Sequence, residues 1–501
     1  MPNTTLDDLS PNARDLAEQS LVWSERRWDP EGALLGSAIV DSGEKGRLGT
    51  RNSVWVAVGF LLRNAEGDTE RASRTIDAIL DTQFDEPDMP YHGTYYRYIG
   101  EPHPPGQDAV MWKDYDPNWR QFIGLGLATI IEEYEERLSP ELIQRIDRAQ
   151  ELAVVGEPPD RCPASYTNIA LMKAALNVWV GHRLRKPEMV EYGESFGQDV
   201  FELFRETDAY AEYNSPTYYG TNFYALGFWR RYLAKSSLYE LGACMEAELW
   251  RDTIRYYHAE LRNLCGPFSR SYGMDMTKYT ALVSLAFWMA FGKDATPFPP
   301  KDQEPGKREG IDAEFAYGPC MAIYDSNAPE DVYDDVEQFS GPRGIEKAIT
   351  KDPDRVATAW MDESYILGAE STGEYACRSY QHHPITAHWR TPSGDIGWLR
   401  LKHIGPIDAR AEEGQISFTA PSTNEHETRE GNSTTFTLIV YAPGVSDDAF
   451  ASSTWALPGM TVTTETNLSS PSITGSDDTY EIVYTATEPE ATYSLTFQPE
   501  S

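Results

Sequence analysis

The hydrophobic periodicity of this chain changes once, near residue 300, and the change divides the sequence into two parts. Before it, segment after segment places apolar residues at the helical spacing of three and four positions. After it, stretches such as "TYEIVYTATE" and "ATYSLTFQPE" alternate apolar and polar residues between turn-forming clusters, which is typical of antiparallel strands. The chain is therefore predicted to fold as a helical domain followed by a β-domain.

Long aromatic connections alternate with short polar ones in the helical part, which indicates five or six hairpins of helices in an incomplete ring. This alternation places the long loops on one face of the ring. The stretch "FGKDATPFPPKDQEPGKREGIDAEF" interrupts the helical pattern with proline and charge, and predicts a linker. The predicted domains are a helical (α/α) toroid over residues 1–300, a linker over 301–315 and an antiparallel β-sandwich over 316–501.

The composition argues against several classes of function. A net charge of −36 disfavours nucleic acid and anionic membrane as partners, because a phosphate-binding protein needs a basic surface. No apolar run approaches the roughly 20 residues of a membrane-spanning helix. The sequence has no glycine-rich phosphate loop, no HExxH or GxSxG motif and no metal-spaced Cys/His cluster, so neither a cofactor nor a metal is expected.

The cysteines and the start of the chain bear on location. Cys162, Cys244, Cys265, Cys320 and Cys377 are scattered and odd in number, which favours free thiols. The opening "MPNTTLDDLSPNARDLAEQS" has no basic region followed by an apolar one, so it does not resemble a secretion signal. These features predict a cytoplasmic protein, or a secreted one if a leader has been removed. They leave the oligomeric state open.

The stretch "EYNSPTYY", which starts at Glu212, crowds a carboxylate, an amide and two tyrosines into the start of a predicted helix. Asn214 or Ser215 is suited to cap that helix. Tyr218 and Tyr219 fall in its first turn, where the helix dipole stabilises negative charge, so either phenol is a candidate base. Asn214 is a candidate hydrogen-bond donor to a carboxylate or carbonyl oxygen. A cap alone does not explain this crowding, and we predict a catalytic site here.

The loop of residues 85–119 is the longest connection in the helical part, and compact domains rarely keep such a loop without a function. It is rich in aromatic and polar side chains, which together stack on sugar rings and hydrogen-bond to their hydroxyls. His92 is its preferred catalytic residue, since imidazole exchanges protons near neutral pH. Tyr95, Trp112 and Asp114 are predicted to bind substrate.

Other helix starts also carry arginine, asparagine or tyrosine, more often than capping requires. We predict that these residues bind substrate, with an arginine gripping a carboxylate through two parallel N–H groups of its guanidinium. They are Arg47, Arg51, Asn52, Tyr166, Asn168, Arg270 and Tyr272.

The β-part carries His382, His383 and His388 in the stretch "QHHPITAHW". They make a poor metal site, because no carboxylate or further histidine stands at a metal-binding spacing. The sequence leaves open whether these histidines are structural or line a cleft between the domains.

Helical hairpins in a ring followed by an antiparallel sandwich resemble the (α/α) toroid polysaccharide lyases of the heparinase II/III, alginate lyase and hyaluronate lyase types. The local resemblance lies at "YNSPTYY", where Asn and Tyr stand one turn apart. It implies that the chain cleaves a uronate-containing glycan by β-elimination. In that reaction Asn214 would neutralise the carboxylate, Tyr218 or Tyr219 would act as base and acid, and His92 would be a partner base.

Three other functions remain open. An inverting glycoside hydrolase would use Glu212 with Asp114 or Asp116, because that reaction needs two carboxylates. A toroid dehydratase or isomerase of a small metabolite would suit a cytoplasmic protein. A non-catalytic glycan-binding protein would use the same aromatic loops.

Overall fold

A computed structural model describes residues 3–38, 40, 46–299, 312–375, 379–422, 427–428, 431–451 and 453–500. Within these ranges the chain is helical first and antiparallel β afterwards, which confirms the predicted fold class. Most of the predicted linker, from residue 301 to 311, lies outside the described residues, as does Cys377. The other four cysteines are free thiols. In the described ranges, no helix is both long and apolar enough to cross a membrane.

The described ranges contain twelve α-helices. They are α1 (Pro11–Glu25), α2 (Ser53–Arg63), α3 (Asp68–Leu80), α4 (Trp119–Tyr134), α5 (Pro140–Val155), α6 (Thr167–Leu184), α7 (Pro187–Arg205), α8 (Tyr218–Tyr232), α9 (Leu238–Arg255), α10 (Leu282–Phe291), α11 (Gly318–Tyr324) and α12 (Tyr333–Glu337).

Six helices form an inner ring in the order α1, α2, α4, α6, α8 and α10, and α10 contacts α1 to close it. Helices α3, α5, α7 and α9 pack outside this ring, each against the inner helix that precedes it. The sequence explains the two layers. Every residue of α2 from Ser53 to Leu62 is buried, whereas the amphipathic α7 buries only Gly193, Gly197, Val200 and Phe204.

Helix α11 lies inside the ring, where it contacts α1, α2, α8 and α10 with all of its residues buried. Tyr317, just before it, stacks on Trp55 with the ring centres 3.5 Å apart. The β-domain predicted from residue 316 therefore begins later, between the end of α12 at Glu337 and the first long strand at Arg343. Sequence pattern missed α11 because so short an apolar helix shows no period.

The described strands are β1 (Leu35–Gly36), β2 (Leu48–Gly49), β3 (Tyr257–His258), β4 (Asn263–Leu264), β5 (Arg343–Lys351), β6 (Asp354–Met361), β7 (Tyr365–Ser371), β8 (Ile385–Arg390), β9 (Ile396–Lys402), β10 (Asp408–Glu412), β11 (Gln415–Pro421), β12 (Glu427–Thr428), β13 (Gly431–Asn432), β14 (Thr435–Tyr441), β15 (Thr454–Leu457), β16 (Met460–Thr466), β17 (Ser472–Ser476), β18 (Thr479–Thr485) and β19 (Glu490–Pro499).

Two antiparallel sheets make the β-domain. The larger has the order β17-β18-β14-β9-β8-β7-β6-β5, and the smaller has the order β10-β11-β19-β16-β15. The larger sheet is buried on both faces, as β6 shows. Its residues Ala357, Ala359 and Met361 join the core of the helical ring, whereas Trp360 packs against the core between the two sheets. The sandwich is thus fixed to the helical ring through a shared apolar core.

Candidate active site

The inner helices α2, α4, α6 and α8 begin at the same end of the ring, because an outer helix returns the chain after each of them. Contacts between the loops confirm this arrangement. The amide nitrogen of Asn118, before α4, donates to the Tyr166 hydroxyl at 2.9 Å, and the backbone nitrogen of Asn168 donates to Glu212 at 3.1 Å. Helix N-termini carry partial positive charge, so this end of the ring favours anionic groups.

The centre of this end is an ion pair between Glu212 and Arg270. Nη1 of Arg270 lies 2.8 Å from Oε1 of Glu212, and Oε2 accepts a hydrogen bond from Nδ2 of Asn168 at 2.5 Å. The Glu212 side chain is 11% exposed and that of Arg270 is 25% exposed. Burial acts to lower the pKa of Arg270, but the carboxylate beside it raises that pKa overall. The arginine is therefore a fixed positive charge.

Tyr218, the first residue of α8, shares the same guanidinium. Nη2 of Arg270 donates to the Tyr218 hydroxyl at 2.7 Å, and that hydroxyl lies 2.9 Å from the hydroxyl of Tyr272. Ser215 caps the helix, its Oγ accepting from the Tyr218 nitrogen at 3.0 Å. Burial raises the pKa of Tyr218 well above its ordinary value, against the opposing charge of Arg270. The helix dipole was expected to favour the phenolate, and burial reverses that expectation.

These five residues, Asn168, Glu212, Tyr218, Arg270 and Tyr272, are called the polar cluster below. All of them were predicted as site residues from the sequence, and the structure brings them together. Their functional roles remain predictions.

Tyr166 lies beside the polar cluster. Its neighbour Asn118 accepts a hydrogen bond from Nη1 of Arg161 at 2.7 Å. Burial and then the charge of Glu212 raise the pKa of Tyr166 to about 12, and the charge of Asp116 adds to the shift. Asp116 also accepts from the backbone nitrogen of Asn118 at 2.9 Å, as expected of a residue just before a helix. The charges of Glu212 and Asp116 thus both act on the Tyr166 hydroxyl.

Arg51 and Asn52 form an ion pair and a hydrogen bond with the chain segment that precedes α11. Nη2 of Arg51 lies 2.6 Å from Oε1 of Glu314, and the amide nitrogen of Asn52 donates to the carbonyl of Ala313 at 2.8 Å. Arg51 was predicted to grip a substrate carboxylate, but Glu314 already pairs with it. Arg47, the third predicted arginine, is exposed, with its guanidinium carbon 4.8 Å from the ring centre of Tyr98.

Asn214, Tyr219 and Tyr95 are buried in the helical core, which corrects the roles predicted for them. Asn214 is 1% exposed, and its amide nitrogen donates to the carbonyls of Cys265 at 2.7 Å and Pro267 at 3.0 Å. Tyr219 is 1% exposed and Tyr95 is fully buried, and burial raises the pKa of both phenols. Because they are buried, these three side chains do not present their polar groups to solvent.

Two predicted residues of the long loop are hydrogen-bonded within the loop itself. Nδ1 of His92 accepts from the backbone nitrogen of Glu86 at 3.1 Å. Asp114 accepts from the backbone nitrogen of Val110 at 2.8 Å. In the described part of the chain, neither side chain hydrogen-bonds to the polar cluster, so the structure provides no support for His92 as the partner base.

Trp112 differs from its neighbours in this loop because its side chain is 57% exposed. Its φ is +61°, a left-handed conformation that bulky residues rarely adopt and that costs energy. Arg97 stabilises the turn by donating to the carbonyls of Trp112 at 3.4 Å and Lys113 at 2.8 Å. The loop thus holds an indole ring in solvent, where it offers a flat apolar surface to a ligand.

The histidines of the β-domain lie in its interface with the helical ring. Nε2 of His383 is 3.1 Å from the carbonyl of Ser271, and Nε2 of His388 is 2.9 Å from the carbonyl of Met274. Burial lowers the pKa of His388 to about 4 and that of His383 well below its ordinary value, so both are neutral at physiological pH. Both histidines thus hydrogen-bond the segment that carries Arg270 and Tyr272 to the sandwich.

His382 belongs to a second interface group, with Glu370 and Arg355. Its Nε2 is 3.0 Å from Oε2 of Glu370, whose Oε1 lies 2.8 Å from Nη2 of Arg355. Burial acts to raise the pKa of Glu370, but the charge of Arg355 lowers it to about 2 overall. Arg355 also donates to the carbonyl of Ala211 at 2.9 Å, next to Glu212. Across the described ranges, no three His, Cys, Asp or Glu side chains are placed to hold a metal ion.

Two residues around the polar cluster were missed by sequence reasoning: Arg161 and Gln381. Gln381 accepts from Nε of Arg270 at 3.0 Å across a separation of 111 residues. No sequence pattern connects two positions so distant in different domains.

The fold and site define a helical ring with a polar cluster at the N-termini of its inner helices, joined to an antiparallel sandwich. A family model described as a domain of unknown function, DUF8769, matches residues 14–326, and the chain belongs to this family. A second model, DUF8770, also described as a domain of unknown function, matches residues 345–495. The search of curated proteins found no match.

Solved structures similar to this chain include three carbohydrate-processing proteins. The chondroitin AC lyase of Streptomyces coelicolor A3 is 11% identical over 98% of this chain and 80% of its own, with a TM-score of 0.44. The heparan sulfate lyase HepC of Pedobacter heparinus is 11% identical over 98% and 84%, with a TM-score of 0.33. A glycosyl hydrolase family 88 protein of Bacteroides vulgatus is 11% identical over 62% and 97%, with a TM-score of 0.38. Polysaccharide lyases of the kind named by the sequence resemblance are thus among the similar structures.

Proposed function

We propose that this chain is a carbohydrate-active enzyme that cleaves a uronate-containing glycan by β-elimination, with Tyr218 as its base and acid. One observation carries the proposal. The hydroxyl of the half-buried Tyr218 lies at a helix start, 2.7 Å from a nitrogen of Arg270 and 2.9 Å from the Tyr272 hydroxyl. The positive charge at this distance stabilises a phenolate, against the burial that raises the pKa of Tyr218.

Arg270 takes over the neutralising role that the sequence gave to Asn214. A guanidinium has five N–H groups and no acceptor. Three of the donor groups of Arg270 are used by Glu212, Tyr218 and Gln381. The other two have no hydrogen-bond partner among the described residues, and in this proposal they bind the carboxylate of a uronate. Neutralising that carboxylate makes the neighbouring C5 proton more acidic.

The elimination needs only one tyrosine. The Tyr218 phenolate takes the C5 proton, and the C5–H electron pair forms the C4–C5 double bond. The C4–O bond breaks, and the leaving oxygen takes the proton from Tyr218, which restores the phenolate. Tyr272 donates a hydrogen bond to the Tyr218 oxygen during the step, and Trp112 offers a stacking surface for a more distant sugar ring.

The test is to incubate the protein with a panel of uronate-containing glycans and to measure both the near-ultraviolet absorbance and the concentration of reducing ends. Elimination creates a conjugated product that absorbs in the near ultraviolet, and the proposal expects this absorbance to rise together with reducing ends. A rise in reducing ends without absorbance would assign hydrolysis instead. Binding of the glycans with neither change would assign a glycan-binding protein.

An inverting glycoside hydrolase is the second candidate, because the charges of two carboxylates, Glu212 and Asp116, both act on Tyr166. Glu212→Gln does not separate the two reactions, because Glu212 also holds Arg270. The substitution Asp116→Asn distinguishes hydrolysis from elimination. The amide oxygen can still accept from the Asn118 nitrogen, but it cannot act as a general acid or base. A hydrolase is expected to lose activity with this variant, whereas the lyase is expected to keep it.

A further inference from the structure

Three different parts of the chain hold the guanidinium of Arg270. Glu212, before α8, binds Nη1, and Tyr218, within α8, binds Nη2. The third partner comes from the β-domain, where Oε1 of Gln381 accepts from Nε at 3.0 Å. Because arginine only donates, this contact also fixes which end of the Gln381 amide faces it. If one of these three partners is removed, the two remaining hydrogen bonds hold the orientation of the planar guanidinium less firmly.

Backbone hydrogen bonds between the two domains place Gln381. Its carbonyl accepts from the nitrogen of Ser271, the residue after Arg270, at 2.8 Å. Two residues further on, His383 and Phe268 exchange a pair of backbone hydrogen bonds at 2.9 and 3.1 Å. The acceptor and the arginine that it binds are therefore on two chain segments that are tied side by side.

We propose that Gln381 is a positioning residue of the active site, by which the β-domain sets the orientation of Arg270 over Tyr218. Its importance for catalysis rests on the proposed function, but the coupling of Gln381 to Tyr218 does not. It follows that the site is complete only when the sandwich is docked on the ring.

The coupling has a readout that needs no substrate. Besides burial, the largest influences on the pKa of Tyr218 are Arg270 first, then Tyr272 and Tyr166, and Tyr218 in turn acts on Arg51. Among these groups, in the described part of the chain, Arg270 is the one that contacts Gln381 by a side-chain hydrogen bond. A change in the ionisation of Tyr218 on replacing Gln381 therefore reports the orientation of Arg270.

The experiment places a fluorotyrosine at position 218 and follows its ¹⁹F resonance against pH in the full chain. Gln381→Met keeps the length of the side chain but removes the acceptor. We expect its Tyr218 ionisation constant to fall about tenfold, because the phenolate loses part of the arginine charge that stabilises it. Gln415→Met, the same replacement on an exposed strand position away from the interface, is the matched control and should leave the constant unchanged. An ionisation constant that is equal in both variants overturns the proposal.

A kinetic measurement then separates this proposal from the proposed function. If the protein eliminates a uronate glycan, Gln381→Met should lower kcat about tenfold or more and change KM little, whereas Gln415→Met should change neither. If no glycan is cleaved, the ¹⁹F titration still decides the positioning role. Should Gln381→Met fail to fold, Gln381→Ser removes the same contact, because its short side chain cannot reach Arg270. If the ionisation constant of Tyr218 in Gln381→Ser equals that in the parent protein, the proposal is also overturned.

Discussion

The guanidinium carbon of Arg270 lies 3.8 Å from the ring centre of Tyr218, while one of its nitrogens donates to the hydroxyl of the same residue at 2.7 Å. Arg270 also pairs with Glu212. The arginine therefore joins the candidate base to a buried carboxylate. The properties of Tyr218 depend on how this ion pair is held, and most of the predictions below follow from that dependence.

Tyr218→Phe is expected to lower the rate of uronate elimination by a factor of about 100 to 10,000, because the proton-transferring hydroxyl is lost. Tyr219→Phe is the matched control at the next position. That tyrosine is 1% exposed, so its removal should change the rate less than about threefold. The measurement is the initial rise of near-ultraviolet absorbance on the best glycan. Equal losses in the two variants would remove Tyr218 from its role.

The rate of elimination should increase with pH, because burial raises the pKa of Tyr218 and the phenolate is the active form. Arg270→Gln removes the charge that opposes this shift, so the midpoint of the pH–rate profile should move to higher pH. The profile of kcat for the two proteins checks this directly. A midpoint that stays in place would show that Tyr218 does not titrate in the reaction.

Sequence patterns predicted both the two-part fold and the five residues of the polar cluster, for different reasons. The change of hydrophobic period is a local property, so it located the helical and β parts without tertiary information. Asn168 and Tyr218 were found because helix starts recur at one end of a helical ring. Burial was not predictable in this way. Asn214 and Tyr219 stand in the same eight-residue stretch as Tyr218, yet both are buried in the core.

Partners distant in sequence were the other limit. Glu314 pairs with Arg51 and Gln381 with Arg270, and neither contact leaves any local pattern. Sequence alone therefore presented Arg51 as an open site for a carboxylate, whereas the fold had already supplied one. The β-domain likewise looked separate from the site, because Gln381 reaches Arg270 only when the sandwich packs against the helical ring.

The ion pair should contribute to stability as well as to the site. Glu212→Ala removes a carboxylate that is 11% exposed and leaves Arg270 and the Asn168 amide without it. We expect the free energy of unfolding to fall by about 2–4 kcal/mol. Glu346→Ala is the matched control, because it breaks a pair whose side chains are 61% and 55% exposed and should change stability little. Thermal melts of both variants provide the comparison, and similar melting temperatures would contradict the prediction.

Trp112→Ala is expected to raise KM for long glycans several-fold while leaving kcat nearly unchanged, because a stacking contact remote from the reaction contributes uniform binding. Val155→Ala is the control, because Val155 is an apolar residue at the end of α5 that is 60% exposed. Steady-state kinetics on oligosaccharides of increasing length makes the test. An unchanged KM at every length would exclude Trp112 as a binding surface.

Asp252 should make the stability of the protein fall as the pH rises. It lies in α9, is 8% exposed and accepts from the Tyr213 hydroxyl at 3.1 Å. Burial raises its pKa to about 6 from the ordinary value of 3.8, against the opposing charge of Lys347. The folded state therefore resists ionisation of this carboxyl. Its favourable contribution is fully present below the unfolded pKa and is lost as the pH rises through the folded pKa.

Asp252→Asn keeps an acceptor for Tyr213 but removes the ionisation. Relative to the parent protein, it should be more stable near pH 8 by an amount on the order of 3 kcal/mol, with little difference near pH 4, since each pKa unit corresponds to about 1.4 kcal/mol. Melting temperatures at the two pH values test this. Asp408→Asn, at an exposed position of β10, should show no such dependence on pH. A gain for Asp252→Asn of equal size at both pH values would mean that the carboxyl does not titrate in the folded protein.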